Sequence, residues 1–252
     1  MAKAYFVGAG PGAPDLITLR GRRLLDSASV VVYAGSLVNP ALLEGIEAEV
    51  HDSAGMSLEE TTEVMRKAVA DGRDVVRLHT GDLSFYSAIT EQIRRLRGLG
   101  IEYEVVPGVS SLAAGSAALE TELTLPEVTQ TVIVTRRAGR TPVPEAEALP
   151  RLAAHGAAMV IFLSVGMIEE VVGDLKEGGY ADDTPVAVVE KASWPEERIL
   201  RGKLSDIASK VEDAGIKKTA LIYVGAAVGS LGQGGGTESK LYDKDFRHGY
   251  RK

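Results

Sequence analysis

The sequence predicts an α/β protein, and three observations support this prediction. Short apolar segments rich in β-branched residues alternate with longer segments of helical periodicity. Turns rich in glycine or proline separate them, as is typical where a strand leads into a helix. The chain has 252 residues, of which 45% are hydrophobic and 25% charged, which is enough to bury a sizeable core. We therefore predict βα units around mostly parallel sheets.

Five strands and four helices are predicted in the first half of the chain. The predicted strands are Ala4–Gly8, Ser29–Tyr33, Ala48–His51, Asp74–His79 and Glu102–Val106. The predicted helices are Leu19–Ser27, Pro40–Leu43, Ser57–Asp71 and Ala88–Gly98. The Ser57 helix is the best defined, because Ser57 and Glu60 have the spacing of a capping box and Gly72 ends the pattern.

A break in the pattern divides the chain. The run from Val109 to Leu119 is small and apolar, and Leu123–Pro126 precedes a new strand. We place the boundary near residue 120, which gives an N-terminal α/β domain (1–120), a C-terminal α/β domain (121–230) and a tail (231–252) predicted to be mobile from its glycine and charge content. The second domain has predicted strands at Thr131–Thr135, Ala158–Leu163, Val186–Val189 and Leu221–Val224, and predicted helices at Glu145–His155, Ile168–Gly178 and Leu204–Ala214.

Composition excludes several classes of protein. The absence of cysteine excludes a disulfide framework, a zinc ribbon, an iron–sulfur cluster and a cysteine nucleophile. A formal charge of −7 has the wrong sign for a protein that binds the nucleic-acid backbone, so we expect no nucleic-acid partner. The four histidines lack the spacing of metal ligands, and we expect no metal site.

No membrane or secretory segment is predicted. The most apolar stretch, Ala157–Ile168, has 12 residues and includes Ser164 and Gly166. A spanning helix needs about 20 mainly apolar residues. The first residues lead directly into a strand pattern without the features of a signal peptide, so we expect a cytoplasmic protein with no membrane partner.

A glycine-rich turn follows the first predicted strand, at Gly8–Asp15. Such a turn lets a ligand approach the backbone closely or presents N–H groups to an anion. Gly8, Gly10 and Ala13 fit the dinucleotide fingerprint, but the second strand ends without the acidic residue that would bind a ribose. The alternative is a turn whose glycines only meet backbone requirements.

Two more polar turns follow the fourth and fifth strands, at Thr80–Asp82 and Pro107–Ser111. The carboxyl ends of parallel strands meet at one edge of a sheet, where ligands of open α/β folds bind. We therefore predict a pocket at this edge, although solvated turns or helix caps would have the same sequence.

Arginines cluster after the first glycine turn (Arg20, Arg22 and Arg23) and after the first strand of the second half (Arg136, Arg137 and Arg140). Such clusters are usually solvated surface. In an acidic protein, however, they could hold a polycarboxylate through forked hydrogen bonds.

Taken together, these segments resemble the tetrapyrrole methylases. The resemblance covers nearly the whole chain and rests on Val7–Gly12 with Asp15–Leu19, Thr80–Asp82, Pro107–Ser111 and Leu123–Pro126, in that order. Further segments are similar to the branch that methylates C-11 of precorrin-4 or its cobalt complex: Tyr33–Leu37, Leu125–Thr131, Gly139–Pro142 and Ala192–Glu196. One departure is Leu83, where the family usually has proline after the Gly-Asp pair.

The resemblance implies an S-adenosylmethionine-dependent C-methyltransferase of cobalamin biosynthesis. It implies two domains with the cofactor in the cleft between them, a homodimer, and a tetrapyrrole substrate. Asp15 would handle protons at the tetrapyrrole. The substrate would contact Gly10, Pro11, Gly12, Ser36, Arg136, Arg137 and Arg140. The cofactor would contact Thr80, Gly81, Asp82, Phe85, Tyr86, Pro107, Ser110, Ser111, Leu163, Met167, Ala187, Ala220 and Ile222.

Four alternatives remain open at this point. The methylated position could be another one on a precorrin ring or on uroporphyrinogen, or the acceptor could be a protein side chain, as in the diphthine synthase type of relative. Outside the family, the glycine turn would also suit a nicotinamide-dependent reductase or a non-catalytic anion-binding module.

Overall fold

A computed structural model of the chain describes residues 2–232, 239–247 and 249–250. The chain divides into two compact units, one formed by residues 1–114 with 191–196 and the other by residues 115–190 with 197–252. Each unit has its own five-stranded sheet with helices, which confirms the α/β class. The division falls between residues 114 and 115, within the helix Ser111–Ala118 and close to the boundary predicted near residue 120, and residues 191–196 group with the first unit although their chain neighbours do not.

The first unit has a fully parallel sheet in the order β3-β2-β4-β1-β5. Its strands are β1 (Ala4–Gly8), β2 (Val30–Tyr33), β3 (Glu49–Asp52), β4 (Val75–His79) and β5 (Tyr103–Val106). Its helices are α1 (Leu19–Ser27), α2 (Leu58–Ala70), α3 (Ile89–Gly98) and the start of α4 (Ser111–Ala118), with 3-10 turns at Pro14–Leu16 and Pro40–Leu43. All strands predicted here are confirmed.

Helices cover both faces of this sheet. Leu25 of α1 packs with Val7 on one face, whereas Met65 of α2 and Leu96 of α3 pack with Phe6 on the other. The connections from β1 and from β4 therefore leave the sheet on opposite sides. Since β1 and β4 are neighbours, their carboxyl ends flank the crevice at which ligands of open α/β sheets bind.

The capping box predicted for α2 is confirmed. The Ser57 hydroxyl accepts a hydrogen bond from the Glu60 N–H at 3.2 Å, and the Glu60 carboxylate accepts one from the Ser57 N–H at 2.7 Å. Gly72 follows the helix with a φ of +74°, which favours glycine.

The second unit has a mixed sheet in the order β6-β7-β10-β8-β9. Its strands are β6 (Val132–Arg136), β7 (Ala158–Phe162), β8 (Pro185–Glu190), β9 (Arg198–Lys203) and β10 (Ala220–Val224). Only β6 and β7 pair in parallel, so the expectation of mostly parallel pairing is wrong for this unit. Helices α5 (Leu149–Ala153), α6 (Ile168–Glu177) and α7 (Ile207–Asp213) pack on one face over a core that includes Ile161, Val188 and Ile222.

Two further predictions concern the C-terminal tail and membrane-spanning helices. Residues 233–238, 248 and 251–252 of the tail lie outside the described residues, so its mobility stays a prediction. In the part of the chain that is described, no helix has the length and apolar character needed to cross a membrane.

Candidate functional site

The first glycine turn and the Thr80–Asp82 turn are bonded to each other. The Gly81 N–H donates to the Gly10 carbonyl at 2.8 Å, and the Gly10 N–H donates to the Gly81 carbonyl at 3.2 Å. The Ala9 N–H donates to the His79 carbonyl at 2.7 Å. The two turns that flank the crevice thus form one backbone-paired structure.

Glycines bring a third turn, after β5, into the same structure. A Cβ atom on Gly8 would lie 2.6 Å from the Gly108 Cα, and one on Gly108 would lie 2.3 Å from the Gly81 carbonyl oxygen. Real side chains do not tolerate such distances to backbone. The adjacency predicted for these turns is therefore confirmed, and Gly8 and Gly108 are glycines because three backbones meet there.

Asp82 ties the turns after β4 and β5 together. Its Oδ2 accepts a hydrogen bond from the Gly108 N–H at 2.9 Å, and its Oδ1 accepts one from the Ser84 N–H at 2.8 Å. Partial burial opposes ionisation, but the hydrogen bonds from Ser84, Gly108 and Leu83 outweigh it and lower the pKa of Asp82. Asp82 is a carboxylate at neutral pH.

The loop after Asp82 has a strained backbone. Tyr86 and Ala88 have φ values of +54° and +51°, in the left-handed region that non-glycine residues rarely adopt. Leu83 is buried among the core residues of α2 and α3, and the Ser87 hydroxyl donates to the Leu83 carbonyl. Phe85 and Tyr86 are each exposed by more than a third of their surface. The loop therefore presents two aromatic side chains to solvent.

The other cofactor residues predicted in the first unit lie beside Asp82. Thr80 and Pro107 are exposed, and the Pro107 carbonyl accepts a hydrogen bond from the Thr18 hydroxyl at 3.5 Å. Ser110 caps the start of α4, since its hydroxyl accepts a hydrogen bond from the Leu112 N–H at 3.2 Å. Ser111 is the first residue of α4.

A buried network that the sequence analysis missed supports this loop. The Arg77 guanidinium donates to the Gln92 side-chain oxygen at 3.1 Å and to the Val32 carbonyl at 3.3 Å. The Gln92 amide in turn donates to the carbonyl of the strained Ala88 at 3.0 Å. Burial lowers the pKa of Arg77 to about 10, so the side chain remains charged. No local sequence signal marks this network, because β4 and α3 bring its members together.

His79 ends β4 directly before Thr80 and is also buried. Its Nε2 atom has no hydrogen-bond partner within the described residues. Burial and the charge of Arg77 lower the pKa of His79 to about 3. The ring is therefore neutral at physiological pH, in agreement with the structural role that its lack of metal-ligand spacing predicts.

The predicted substrate residues Gly10, Pro11 and Gly12 are buried in the glycine turn. The Trp194 indole N–H donates to the Pro11 carbonyl at 3.0 Å, and the Asn39 side-chain amide donates to the Gly12 carbonyl at 2.9 Å. The turn is thus held on two sides, and its exposed part is the 3-10 turn that follows.

The candidate catalytic residue Asp15 lies on that 3-10 turn, Pro14–Leu16, and is exposed. Ser36, a further predicted substrate residue, is exposed in the turn after β2. Next to it, Asp52 at the end of β3 accepts hydrogen bonds from the Gly35 and Ala54 N–H groups, both at 2.9 Å, and these bonds lower the pKa of Asp52. Asp52 escaped the sequence analysis because nothing in its surroundings distinguishes it from a surface residue.

Two of the three arginines predicted to hold substrate are bonded within the second unit. Arg136 donates to the carbonyls of Thr141 at 3.2 Å and Pro142 at 2.6 Å, and Arg137 forms an ion pair with Asp174 at 2.5 Å. Arg140 is exposed and has no ion-pair partner among the described residues. Arg136 and Arg137 therefore shape the loop, and Arg140 is the member of the cluster that is free for a ligand.

Leu163 and Ala220 lie at the ends of two neighbouring strands of the second sheet. Leu163 directly follows β7 and Ala220 begins β10, which runs antiparallel to β7 with Ile222 opposite Ile161. Leu163 is 68% exposed and has a φ of +55°, and Thr219 beside Ala220 has a φ of +56°. An exposed leucine with strained backbone is typical of a ligand contact rather than of a core position.

The other predicted cofactor residues of the second unit are less exposed. Met167 is half-buried and lies near Gly139, where a Cβ atom would be 3.2 Å from its Cε. Ile222 is fully buried in the core beneath α5–α7. Ala187 lies on the opposite face of the sheet, beside a cavity of about 200 Å³ also lined by Leu119 and Arg201. Met167, Ala187 and Ile222 therefore stay predictions as cofactor contacts.

In the described residues, no group of three or more His, Asp or Glu side chains is arranged to hold a metal ion.

Similarity to known proteins extends over most of the chain. The profile of the family described as Tetrapyrrole (Corrin/Porphyrin) Methylases matches residues 3–208. A Methanocaldococcus jannaschii protein named cobalt-precorrin-4 C(11)-methyltransferase is 58% identical over 252 residues, which cover 99% of this chain and 96% of that protein. A Pseudomonas aeruginosa protein named precorrin-4 C(11)-methyltransferase is 50% identical, with 98% of each chain covered.

Two solved structures extend the likeness to the fold. The X-ray structure of a cobalamin biosynthetic enzyme, cobalt precorrin-4 methyltransferase, is 47% identical with a TM-score of 0.88, covering 90% of this chain and 95% of that chain. A uroporphyrin-III C-methyl transferase from Thermus thermophilus, complexed with S-adenosyl homocysteine, is 30% identical with a TM-score of 0.76, covering 90% and 93%.

Proposed function

The chain belongs to the tetrapyrrole (corrin/porphyrin) methylase family, and on this premise we propose that it methylates C-11 of precorrin-4 or its cobalt complex in cobalamin biosynthesis. S-adenosylmethionine is the methyl donor. The observation that carries this proposal is the 58% identity to a cobalt-precorrin-4 C(11)-methyltransferase over almost the full length of both chains. Since that relative is named for the cobalt complex, we favour the cobalt complex over the metal-free precorrin as acceptor.

The residues of the crevice fit this cofactor. When bound, the cofactor supplies an electrophilic methyl group on a positively charged sulfur. Asp82 is ionised, and hydrogen bonds from the turns after β4 and β5 hold its carboxylate in place. Thr80 offers an exposed hydroxyl, and Phe85 and Tyr86 offer exposed apolar surface. We propose that these residues, with Gly81, Pro107, Ser110 and Ser111, bind the cofactor in the first unit.

The role of this chain in the transfer is mainly positioning. Holding two reactants in line contributes up to roughly 7 to 11 kcal/mol in well-oriented systems. The three turns suit that task, because two are paired through backbone hydrogen bonds and the third is joined to them by close glycine contacts and by Asp82. No metal is required, since the displacement consumes a positive charge rather than creating a negative one.

Proton handling at the tetrapyrrole is assigned to Asp15. It is an exposed carboxylate next to the glycine turn, where the predicted substrate residues Gly10–Gly12 lie. Arg140, the unpaired arginine of its cluster, is assigned to a substrate carboxylate.

Mass spectrometry of the product tests the proposal. The enzyme is incubated with S-adenosylmethionine carrying a labelled methyl group and with precorrin-4, with and without cobalt. We expect one labelled methyl, located at C-11 by carbon NMR. Transfer to a different ring position or to uroporphyrinogen would support the first alternative, and no transfer to any tetrapyrrole would contradict the proposal.

Asp15→Asn separates substrate chemistry from cofactor binding. We expect the variant to keep its affinity for S-adenosylhomocysteine by titration calorimetry and to lose methyl transfer. Full turnover by this variant would reduce Asp15 to a residue of the turn.

We further propose that the enzyme is a homodimer in the cytoplasm. The family resemblance supports the dimer, and the absence of cysteine is consistent with a reducing compartment. Light scattering coupled to size-exclusion chromatography measures the oligomeric state, and a monomer at micromolar concentration would contradict the first part.

A further inference from the structure

Residues 191–196 contact the glycine turn from a remote part of the sequence. The Trp194 indole N–H donates to the Pro11 carbonyl at 3.0 Å, and the Ser193 hydroxyl accepts a hydrogen bond from the Ala13 N–H at 2.9 Å. The indole also lies so close to Gly12 that a Cβ atom there would be 2.0 Å from its Cδ1. Pro11, Gly12 and Ala13 are thus each held by this one segment.

The segment adopts a strained conformation to make these contacts. Lys191 and Ser193 have φ values of +47° and +67°, although neither is glycine. Left-handed backbone at such residues is unfavourable and persists where the surroundings enforce it, commonly at functional sites. The strain indicates that the shape of this segment serves the turn that it holds.

The same segment places a positive charge over the indole. The Lys191 ammonium lies 5.7 Å from the centre of the Trp194 ring, and Glu196 is its only ion-pair partner in the described chain, at 3.6 Å. The Glu196 side chain is 64% exposed, and exposed pairs of this kind are weak. A carboxylate of a ligand can therefore displace Glu196 from Lys191.

We propose that residues 191–196 form a substrate-recognition segment in which Lys191 binds a carboxylate of the tetrapyrrole and Trp194 is a positioning residue that fixes the glycine turn. The proposal rests on the proposed function, because it requires a polycarboxylate acceptor. Positive charge is also scarce in the arginine cluster: Arg136 and Arg137 are bonded internally, which leaves Arg140 as the one member assigned to a substrate carboxylate, and Lys191 adds a second cation in an acidic protein.

Trp194 is the only tryptophan of the chain, so its fluorescence reports ligand binding without turnover. Cobalt-precorrin-4 is titrated into the full-length enzyme in the presence of S-adenosylhomocysteine, and quenching gives the dissociation constant. For Lys191→Met we expect about a fivefold to tenfold weaker complex and a shallower dependence on salt.

Lys176→Met is the matched control, since Lys176 has a similar side-chain exposure and an exposed ion pair with Asp182 in the second unit. It should bind as the wild type does. Equal affinities for the Lys191→Met and Lys176→Met variants, or quenching absent from the wild type, would overturn the role of Lys191. Methyl transfer by the wild type, measured separately, tests the proposed function, so the two failures are distinguishable.

A double-mutant cycle tests the role of Trp194. Gly12→Ala collides with the indole, which supplies the three atoms nearest to the added methyl group, and Trp194→Ala removes that collision. We expect each single change to raise the KM for cobalt-precorrin-4 at least about tenfold, with the affinity for S-adenosylhomocysteine within about twofold of wild type. The double variant should be no worse than the more affected single variant.

The positioning role would be overturned if the KM increases of the two single variants multiplied in the double variant. It would also be overturned if the variants lost cofactor and tetrapyrrole affinity equally. Should either single variant fail to fold by circular dichroism, Ser193→Ala serves instead, since it removes one hydrogen bond from the turn. We expect it to raise the tetrapyrrole KM about threefold with kcat retained, and an unchanged KM would contradict the proposal.

Discussion

The turns of the first unit and the arginine loop of the second unit are held in different ways. In the first unit, Gly8 and Gly108 let three backbones meet, and Asp82 bonds to backbone N–H groups. In the second unit, the loop after β6 depends on the side chains of Arg136 and Arg137. Backbone contact requires glycine at fixed positions, which leaves a motif in the sequence, whereas side-chain pairing leaves none. This difference explains why the first site was predicted as a pocket and the second only as a cluster of charge.

Replacing a glycine in each region gives the largest contrast. Gly108→Ala would place a methyl group 2.3 Å from the Gly81 carbonyl oxygen, and neither backbone can yield. We expect a loss of about 3 kcal/mol or more of unfolding free energy, or no folded protein. Gly139→Ala in the second unit meets only the flexible end of Met167 at 3.2 Å and should change stability by less than about 1 kcal/mol. Urea denaturation of both variants measures this, and equal losses would break the comparison.

Removing a carboxylate from each region gives the next contrast. Asp82→Ala leaves the Gly108 N–H without its partner and should weaken S-adenosylhomocysteine binding by about 1.5 to 3 kcal/mol, with a lower melting temperature. Asp174→Ala removes the ion pair of Arg137 and should leave cofactor affinity unchanged. Titration calorimetry and thermal melts compare them. Unchanged affinity in Asp82→Ala would place Asp82 outside the cofactor site.

Acid should destabilise the first unit through His79. The pKa of His79 is lowered to about 3 by burial and by Arg77, whereas an unfolded histidine titrates near 6.5. The unfolded state therefore binds the proton first, and the stability present above about pH 6.5 falls by about 1.4 kcal/mol per pH unit as the pH decreases towards 3. His79→Leu should remove this slope.

The exposed His155 of the second unit provides the control, since His155→Leu should keep the pH dependence of the wild type. Urea midpoints measured between pH 7 and 5 decide the matter. If the His79→Leu variant kept the pH dependence of the unfolding free energy, that dependence would belong to other groups.

The smallest contrast lies within the arginine cluster. Arg140→Gln should raise the tetrapyrrole KM a few-fold and make it less sensitive to salt, because this guanidinium is free to meet a carboxylate. Arg137→Gln should instead lower stability by about 1 kcal/mol through loss of the half-buried pair with Asp174. Steady-state kinetics at two salt concentrations measures the first, and indistinguishable salt curves for Arg140→Gln and wild type would return Arg140 to the solvated surface.

Local patterns predicted most of the fold. The capping box of Ser57 and Glu60 is a contact between residues three apart, so sequence spacing specifies it. Strand β9 was missed because Arg198, Arg201 and Lys203 interrupt its apolar character, as suits an edge strand. Helix α4 was missed because its small residues have no amphipathic period. Gly115 of that helix is required by the Tyr223 hydroxyl, which a Cβ atom would approach to 2.1 Å.

The part of the candidate site that is formed by backbone contacts between turns was predictable from the sequence. The meeting of the turns after β1, β4 and β5 follows from parallel strands, and Asp82 was singled out with them. The support from Arg77 through Gln92 to Ala88 depends on how β4 and α3 pack, which no spacing in the sequence reveals. Trp194 belongs to a motif that is visible in the sequence. Its contact with Pro11 joins residues 183 positions apart, so no local pattern predicts it.

That separation has a consequence for the order of folding. The βα units of the first unit make short-range contacts and can form early, while closing a loop of this length carries a larger entropic cost. During synthesis, the glycine turn also has to wait until residue 194 has left the ribosome. We therefore expect the contact between Trp194 and Pro11 to form after the folding transition state. Substitutions at Trp194 should then accelerate unfolding while leaving the refolding rate nearly unchanged, so that the lifetime of the folded glycine turn depends on a contact made late in folding.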